Sequence, residues 1–145
     1  ITVAAGAVKG PARLRGKALV VPAVGHAASP EVCALVREWL QERAAQRLPE
    51  RVAQWATRLG VAPSAVLLRE PTRRWGSCNE RSELRLNWRI VQAPMALVDY
   101  VVAHELTHLL HKDHSPAFWA RLGAAMPDYE RRREELRRLG PQLGW

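Results

Sequence analysis

Four of the five histidines fall between positions 104 and 114, in the run His104-Glu105-Leu106-Thr107-His108-Leu109-Leu110-His111-Lys112-Asp113-His114. On a helix, residues four apart lie about 40° apart and one turn above each other, so His104 and His108 can aim two imidazoles at one point. Glu105, about 100° further round, can reach a water at that point without becoming a ligand, which is where a general base must stand. Neutral imidazole binds zinc at about 2.0–2.1 Å, and three protein ligands leave a fourth position for water. Coordination draws that water's pKa from about 15.7 toward about 7, and a carboxylate can then take its proton as it attacks a carbonyl. The residue types therefore point to a zinc-dependent hydrolase with Glu105 as the base.

Two histidines compete to be the third ligand. On a continued helix His111 would share the face of His104, about 20° away, but roughly 10.5 Å along the axis, too far to join it on one ion with bonds near 2 Å. His114 can serve only if the chain turns back after about His111. Lys112 and Asp113 are exposed types, histidine and aspartate tolerate positive φ, and Ser115-Pro116 starts a new helix at once. The expected ligand set is thus His104, His108 and His114. The spacing from His104 to His114 equals that of the metzincin pattern H-E-x-x-H-x-x-G-x-x-H, but His111 stands at the glycine position, which argues against a true metzincin.

The elements that must position these groups can be read on either side. Pro94 opens a helix whose apolar positions, Leu97, Val98, Val101, Val102, Leu106, Leu109 and Leu110, continue to about His111. Two histidines and a glutamate on such a helix would be costly to bury without a purpose. Ser115 and Pro116 begin a second helix carrying Phe118, Trp119 and Leu122, and a last helix spans about Tyr129 to Leu139, stopping at Gly140-Pro141. Upstream, Ser64–Leu68 reads as a strand. Ser82–Trp88 reads as a half-buried strand with Leu84, Leu86 and Trp88 on one face and Arg85, Asn87 and Arg89 on the other. Ser29-Pro30 caps a long helix that ends at Gly60, with Pro49 kinking or dividing it. Residues 1–24, with β-prone Ile1–Ala4 and Ala18–Val21 separated by Gly10, Pro11 and Gly16, read as a strand or hairpin region.

At 145 residues and 48% hydrophobic, the chain has the size of one domain with its own core, 1–145. Its 22 basic against 14 acidic residues give a formal net charge of +8, which favours anionic partners. Every basic residue but Lys9, Lys17 and Lys112 is arginine, however, and no run of five like charges occurs, so nucleic acid is weighed as a partner and not favoured. Cys33 and Cys78, far apart and without CxxC spacing, read as two reduced thiols. No apolar stretch approaches the roughly 20 residues of a membrane span and no signal core is visible, so a cytoplasmic protein with no membrane partner is expected.

Several motifs taken in order are more specific than the histidine string. Arg74-Trp75-Gly76-Ser77-Cys78, Leu86-Asn87-Trp88-Arg89, Asp99 through His108, His114-Ser115 with Phe118-Trp119, and Met126-Pro127-Asp128-Tyr129 together resemble the YgjP-like metallopeptidase family, related more loosely to SprT-type proteases. The resemblance covers about residues 31 to 139. It implies a minimal zincin-like α+β fold, gluzincin-like or metzincin-like, with a small sheet packed against the zinc helix. Carried over position by position, it puts zinc on His104, His108 and His114, the catalytic glutamate at Glu105, and a protein or peptide in the cleft.

Other residues carry two readings each. Trp75 to Cys78 either borders the cleft or forms a tight turn at Gly76 with Trp75 and Cys78 in the core. The core reading is favoured for Cys78, and the two are even for Trp75 and Ser77. Asn87 and Arg85 either line an edge strand that pairs with an extended peptide or simply face solvent. Tyr100 reads first as a packed tyrosine and second as an oxyanion donor. The basic helix around Arg131, Arg132, Arg133, Arg137 and Arg138 is expected to be a solvated face, with Glu134 and Glu135 pairing to Arg131, Arg132 and Arg138. His26 reads as a loop histidine with no chemistry. The alternative functions are a zinc phosphohydrolase or nucleic-acid-associated SprT-like protease, for which no second carboxylate-rich metal site is evident, and a binding module with a structural zinc, which three ligands plus Glu105 disfavour.

Overall fold

The computed structural model of the chain describes residues 2–6, 11–16, 18–22, 29–70 and 73–143. The sequence reads as one domain; by its internal contacts the chain falls into two compact units, Ile1–Arg43 and Ala44–Trp145. The elements in order are β1 (Thr2–Gly6), β2 (Arg13–Arg15), β3 (Ala18–Pro22), α1 (Pro30–Leu59), β4 (Ala65–Arg69), β5 (Gly76–Cys78), β6 (Glu83–Asn87), a 3-10 turn (Trp88–Gln92), α2 (Met95–Thr107), α3 (Pro116–Ala125) and α4 (Tyr129–Leu139).

In the first unit, β2 and β3 form the antiparallel hairpin anticipated there, turning at Gly16 with φ +58, and β1 adds in parallel to β3. Leu19 and Val21 alternate into the buried face of β3. The first half of α1 is started by Ser29, whose hydroxyl accepts from the Val32 amide, and buries Val32, Val36 and Leu40.

Pro49 does not divide α1, which is one helix of 30 residues. In the second unit Ala44, Leu48, Val52, Trp55 and Leu59 are buried at helical spacing on both sides of the proline. Packing along that stripe outweighs the lost amide and ring clash of the proline. The end is as expected: Gly60 adopts φ +68, the Val61 amide donates to the Ala56 carbonyl and the Gly60 amide to that of Thr57, a Schellman closure. Arg121 of α3 donates to the last free carbonyl of α1, at Leu59.

The second sheet has the order β4-β6-β5, with β4 parallel and β5 antiparallel to β6. Leu84 and Leu86 of β6 are fully buried and Arg85 is exposed, the alternation the sequence shows. Asn87, expected on the solvent face, is instead 5% exposed. Its side chain donates to the Arg74 carbonyl and accepts from the Arg89 amide, so one buried amide pins the strand that returns to β5 and caps the 3-10 turn.

The helix α2 packs against β5, β6, α3 and α4, and ten of its thirteen residues are buried. A helix buried nearly all round must account for each polar group it carries. Asp99 takes both forks of Arg51 from α1, at 2.7 Å each. Thr107 donates to the Ala103 carbonyl at 2.7 Å. Among the described residues, no helix is long and apolar enough to cross a membrane.

The Arg51–Asp99 pair generates a test, since the two side chains are only 20% and 11% exposed. Asp99→Ala strands a largely buried guanidinium and should cost about 2–4 kcal/mol, roughly 5–10 °C in Tm for a chain this size. The double replacement Arg51→Met with Asp99→Leu should recover most of that loss in denaturant unfolding. Equal instability of the single and double variants would show that the pair is not what ties α1 to α2.

Candidate active site

The site forms where α2 ends. The sequence periodicity carries the helix to His111, but the last helical residue is Thr107, and His108 closes it at φ −64, ψ −17. The next amides, of His108, Leu109 and Leu110, reach back only three residues, tightening the turn. The reversal that follows uses no left-handed residue, contrary to the expectation for His111 to Asp113: among the described non-glycine residues only Ser82 has positive φ. Tightened turns do the work because apolar demand lapses there, Leu110 being 46% exposed. Ser115 then caps α3, its hydroxyl accepting from the Phe118 amide.

The turn returns His114 over the preceding helix. One ring nitrogen from each of His104, His108 and His114 lies within 4.8 Å of the others, and Nε2 of His114 is 3.0 Å from Nε2 of His104. Two nitrogens on a tetrahedral ion with bonds near 2.05 Å stand about 3.3 Å apart. The His104–His114 pair is within a few tenths of an ångström of that separation, and the third imidazole is close enough to join it on one ion. His111 stands outside this cluster, and it is its carbonyl that matters, lying 3.1 Å from His108 Nδ1. A carbonyl can only accept, so Nδ1 carries the proton and Nε2 keeps its lone pair. His104 Nδ1 lies 3.4 Å from the Tyr100 hydroxyl.

The electrostatics suit the same purpose. Burial pushes His104 down to about 3, reinforced by His108 and His114, and burial likewise lowers His108, so both rings are neutral donors. Glu105 is 9% exposed, and burial pushes its carboxyl up to about 7 against a smaller opposing pull from Arg74. Tyr100 is buried and pushed up to about 12, a neutral phenol that faces a histidine ring.

A cleft of about 490 Å³ opens onto this cluster; Ser77, Cys78, Glu105 and Lys112 are among its walls. A smaller cavity of about 240 Å³, walled by Trp75, Tyr100, Val101 and Leu136, also reaches Glu105 and His104. The run from Gly76 to Cys78 is thus neither a tight turn nor core. It is β5, an edge of the sheet among the described residues, and Cys78 is a half-buried thiol on the cleft. Arg85 and Asn87, expected either on an edge strand or facing solvent, lie on β6, the central strand, between β4 and β5. His26 lies outside the described residues.

Two contributors were missed in the sequence. A Cβ at Gly76 would stand 2.7 Å from Glu105 Cγ, so only glycine lets the carboxylate lie against β5. Phe118, fully buried, has its ring centre 5.0, 4.6 and 4.9 Å from those of His104, His108 and His114. It forms an apolar floor under all three. The arginines of α4 also differ from expectation: Arg131 and Arg132 pair with Asp128 and Arg137 with Glu134, while Arg133 lies over the Trp119 ring.

A sheet edge beside a helix end where three imidazoles converge next to a buried carboxylate is the arrangement expected of a metallopeptidase. The chain belongs to the YgjP-like metallopeptidase family, whose domain model matches residues 8–139. The match begins well before residue 31, taking in much of the N-terminal region. In fold, the chain is similar to the crystal structure of the metallopeptidase zymogen abylysin of Pyrococcus abyssi, with a TM-score of 0.58, 20% identity, and coverage of 66% of this chain and 94% of that one. A search of curated proteins found no match.

The two competing histidines give the direct test. His114→Ala should abolish stoichiometric metal, whereas His111→Ala, which keeps the carbonyl under His108, should leave about one zinc per chain. Metal analysis of the purified variants decides, and the reverse pattern would sink the assignment.

Proposed function

We propose that the chain is a zinc peptidase in which His104, His108 and His114 hold the metal and Glu105 is the general base. The observation that carries this reading is the meeting of three imidazoles within 4.8 Å of one another beside a buried carboxylate. Three nitrogen donors of borderline softness suit zinc and leave a coordination position open. When bound, zinc supplies Lewis-acid chemistry: it acidifies a water and polarises the scissile carbonyl.

The chain's own groups supply the rest. Glu105, held near neutrality by burial, can take the proton of the attacking water and deliver it to the departing amine. Tyr100 and the His111 carbonyl fix the two helical imidazoles through their outer nitrogens. The short edge strand β5 offers backbone groups to an extended peptide beside Glu105, so a protein or peptide can be bound by strand addition. Free thiols at Cys33 and Cys78 are in keeping with residence in a reducing cytoplasm.

Glu105→Gln should keep zinc and fold while lowering peptide hydrolysis about 10²- to 10⁴-fold, since the amide fills the space but cannot accept the proton. Turnover unchanged in that variant would remove Glu105 from its role. Gly76→Ala should also keep zinc but lose activity, because its methyl must displace the Glu105 side chain. Wild-type kinetics in the alanine variant would show that the carboxylate does not depend on β5.

A further inference from the structure

The three imidazoles are not held alike. His104 and His108 project from the last turn of α2, and each has its outer nitrogen near an oxygen, of Tyr100 and of the His111 backbone. His114 is exposed, lies in the connection between α2 and α3, and its one hydrogen-bond contact among the described residues is through Nε2 to His104. Its outer nitrogen has no such partner. What it has is a ring: Trp119 stacks on it with centroids 5.5 Å apart and planes 21° from parallel.

Trp119 is itself braced. Tyr129 stacks on it at 5.5 Å and 17°, and the Arg133 guanidinium stands 4.8 Å from its ring centre. Both come from α4, one turn apart. A Cβ at Gly123 would approach Tyr129 to 3.1 Å, so α3 keeps a gap in its surface where that tyrosine lies. Phe118 meets His114 edge-on, at 88°, and closes a second side.

Resting on the zinc-site reading above, we infer that Trp119 is a positioning residue for metal binding: its indole face orients the His114 imidazole, as a hydrogen-bonded oxygen orients the other two. A ligand on an exposed connection would otherwise lose rotamer freedom each time metal bound, and stacking removes that freedom beforehand. Ligation also draws electron density from an imidazole, so its attraction to an electron-rich indole is stronger in the loaded state than in the empty one. Differential stacking of that kind appears directly as metal affinity.

The test compares zinc affinity, by competition with a chromophoric chelator, in the wild type, Trp119→Leu and Trp119→Phe. Trp119→Leu should bind roughly 10- to 100-fold more weakly, the usual effect of removing a group that orients a ligand. Trp119→Phe, which keeps a ring face, should recover most of this, while unfolding midpoints of the metal-free proteins stay matched. Leucine binding zinc as tightly as tryptophan, or phenylalanine as poorly as leucine, would overturn the inference. If Trp119→Leu does not fold, the metal-free wild type still decides by NMR. The His114 ring protons should be displaced upfield by the indole face relative to those of His111, and ordinary shifts would refute the stacking. A wild type that takes up no zinc would instead defeat the metal-site reading.

Discussion

The arrangement depends on one aromatic ring at a place where a helix has to stop. Phe118 is fully buried and lies against all three imidazoles, two from the end of α2 and one from the chain returning after it. Its position follows from Ser115, which caps α3, and Pro116, which fixes the entry of that helix. An apolar floor excludes water from one side of the cluster, and desolvation holds His104 and His108 as neutral rings with free lone pairs. A metal arriving there displaces few protons, so little of its binding energy is lost in deprotonating ligands.

The same economy of polar groups shapes α2. Asp99 is neutralised by Arg51 and Thr107 is satisfied within its own helix. Glu105 has neither device: it is buried, it takes no hydrogen bond from the described residues, and burial raises its pKa to about 7. An uncompensated buried carboxylate is a stability cost, and such costs concentrate where chemistry needs them. That contrast, on an otherwise satisfied helix, supports the role proposed for Glu105.

Much of this was legible in the sequence because it is local. The His104-Glu105-His108 spacing, the Ser29 and Ser115 caps, the Gly60 closure and the extent of α4 all follow from rules that reach four residues or fewer, and the preference for His114 over His111 follows from the rise of a single helix. What was not legible lies in longer range. Apolar Leu109 and Leu110 prolong the periodicity of α2, but the helix ends at Thr107 because the chain must turn back to deliver His114. Asn87 alternates outward on paper, yet its amide is needed inside to hold the Arg74 carbonyl, thirteen residues away. Gly76 reads as a turn because glycine commonly makes one. Its purpose, clearance for a carboxylate 29 positions later, is visible only once β5 and α2 are packed.

These long-range contacts divide the site into two parts that share a helix. The three imidazoles are set by the α2–α3 reversal and by the rings of α3, whereas Glu105 is set by the sheet, through the bare backbone of Gly76. His104 and Glu105 are neighbours in sequence, about 100° apart on α2, so a translation of that helix would move both at once, while a change on either flank disturbs one alone. Metal affinity and proton transfer can therefore vary independently, provided α2 stays fixed. The helix is fixed from behind by the bidentate Arg51–Asp99 contact, five residues before His104. Apolar packing alone would tolerate small sliding; two parallel N–H···O bonds to one carboxylate do not. A largely buried ion pair contributes little net stability compared with apolar residues of similar volume. Its value here is register, which a site built from separate flanks cannot do without.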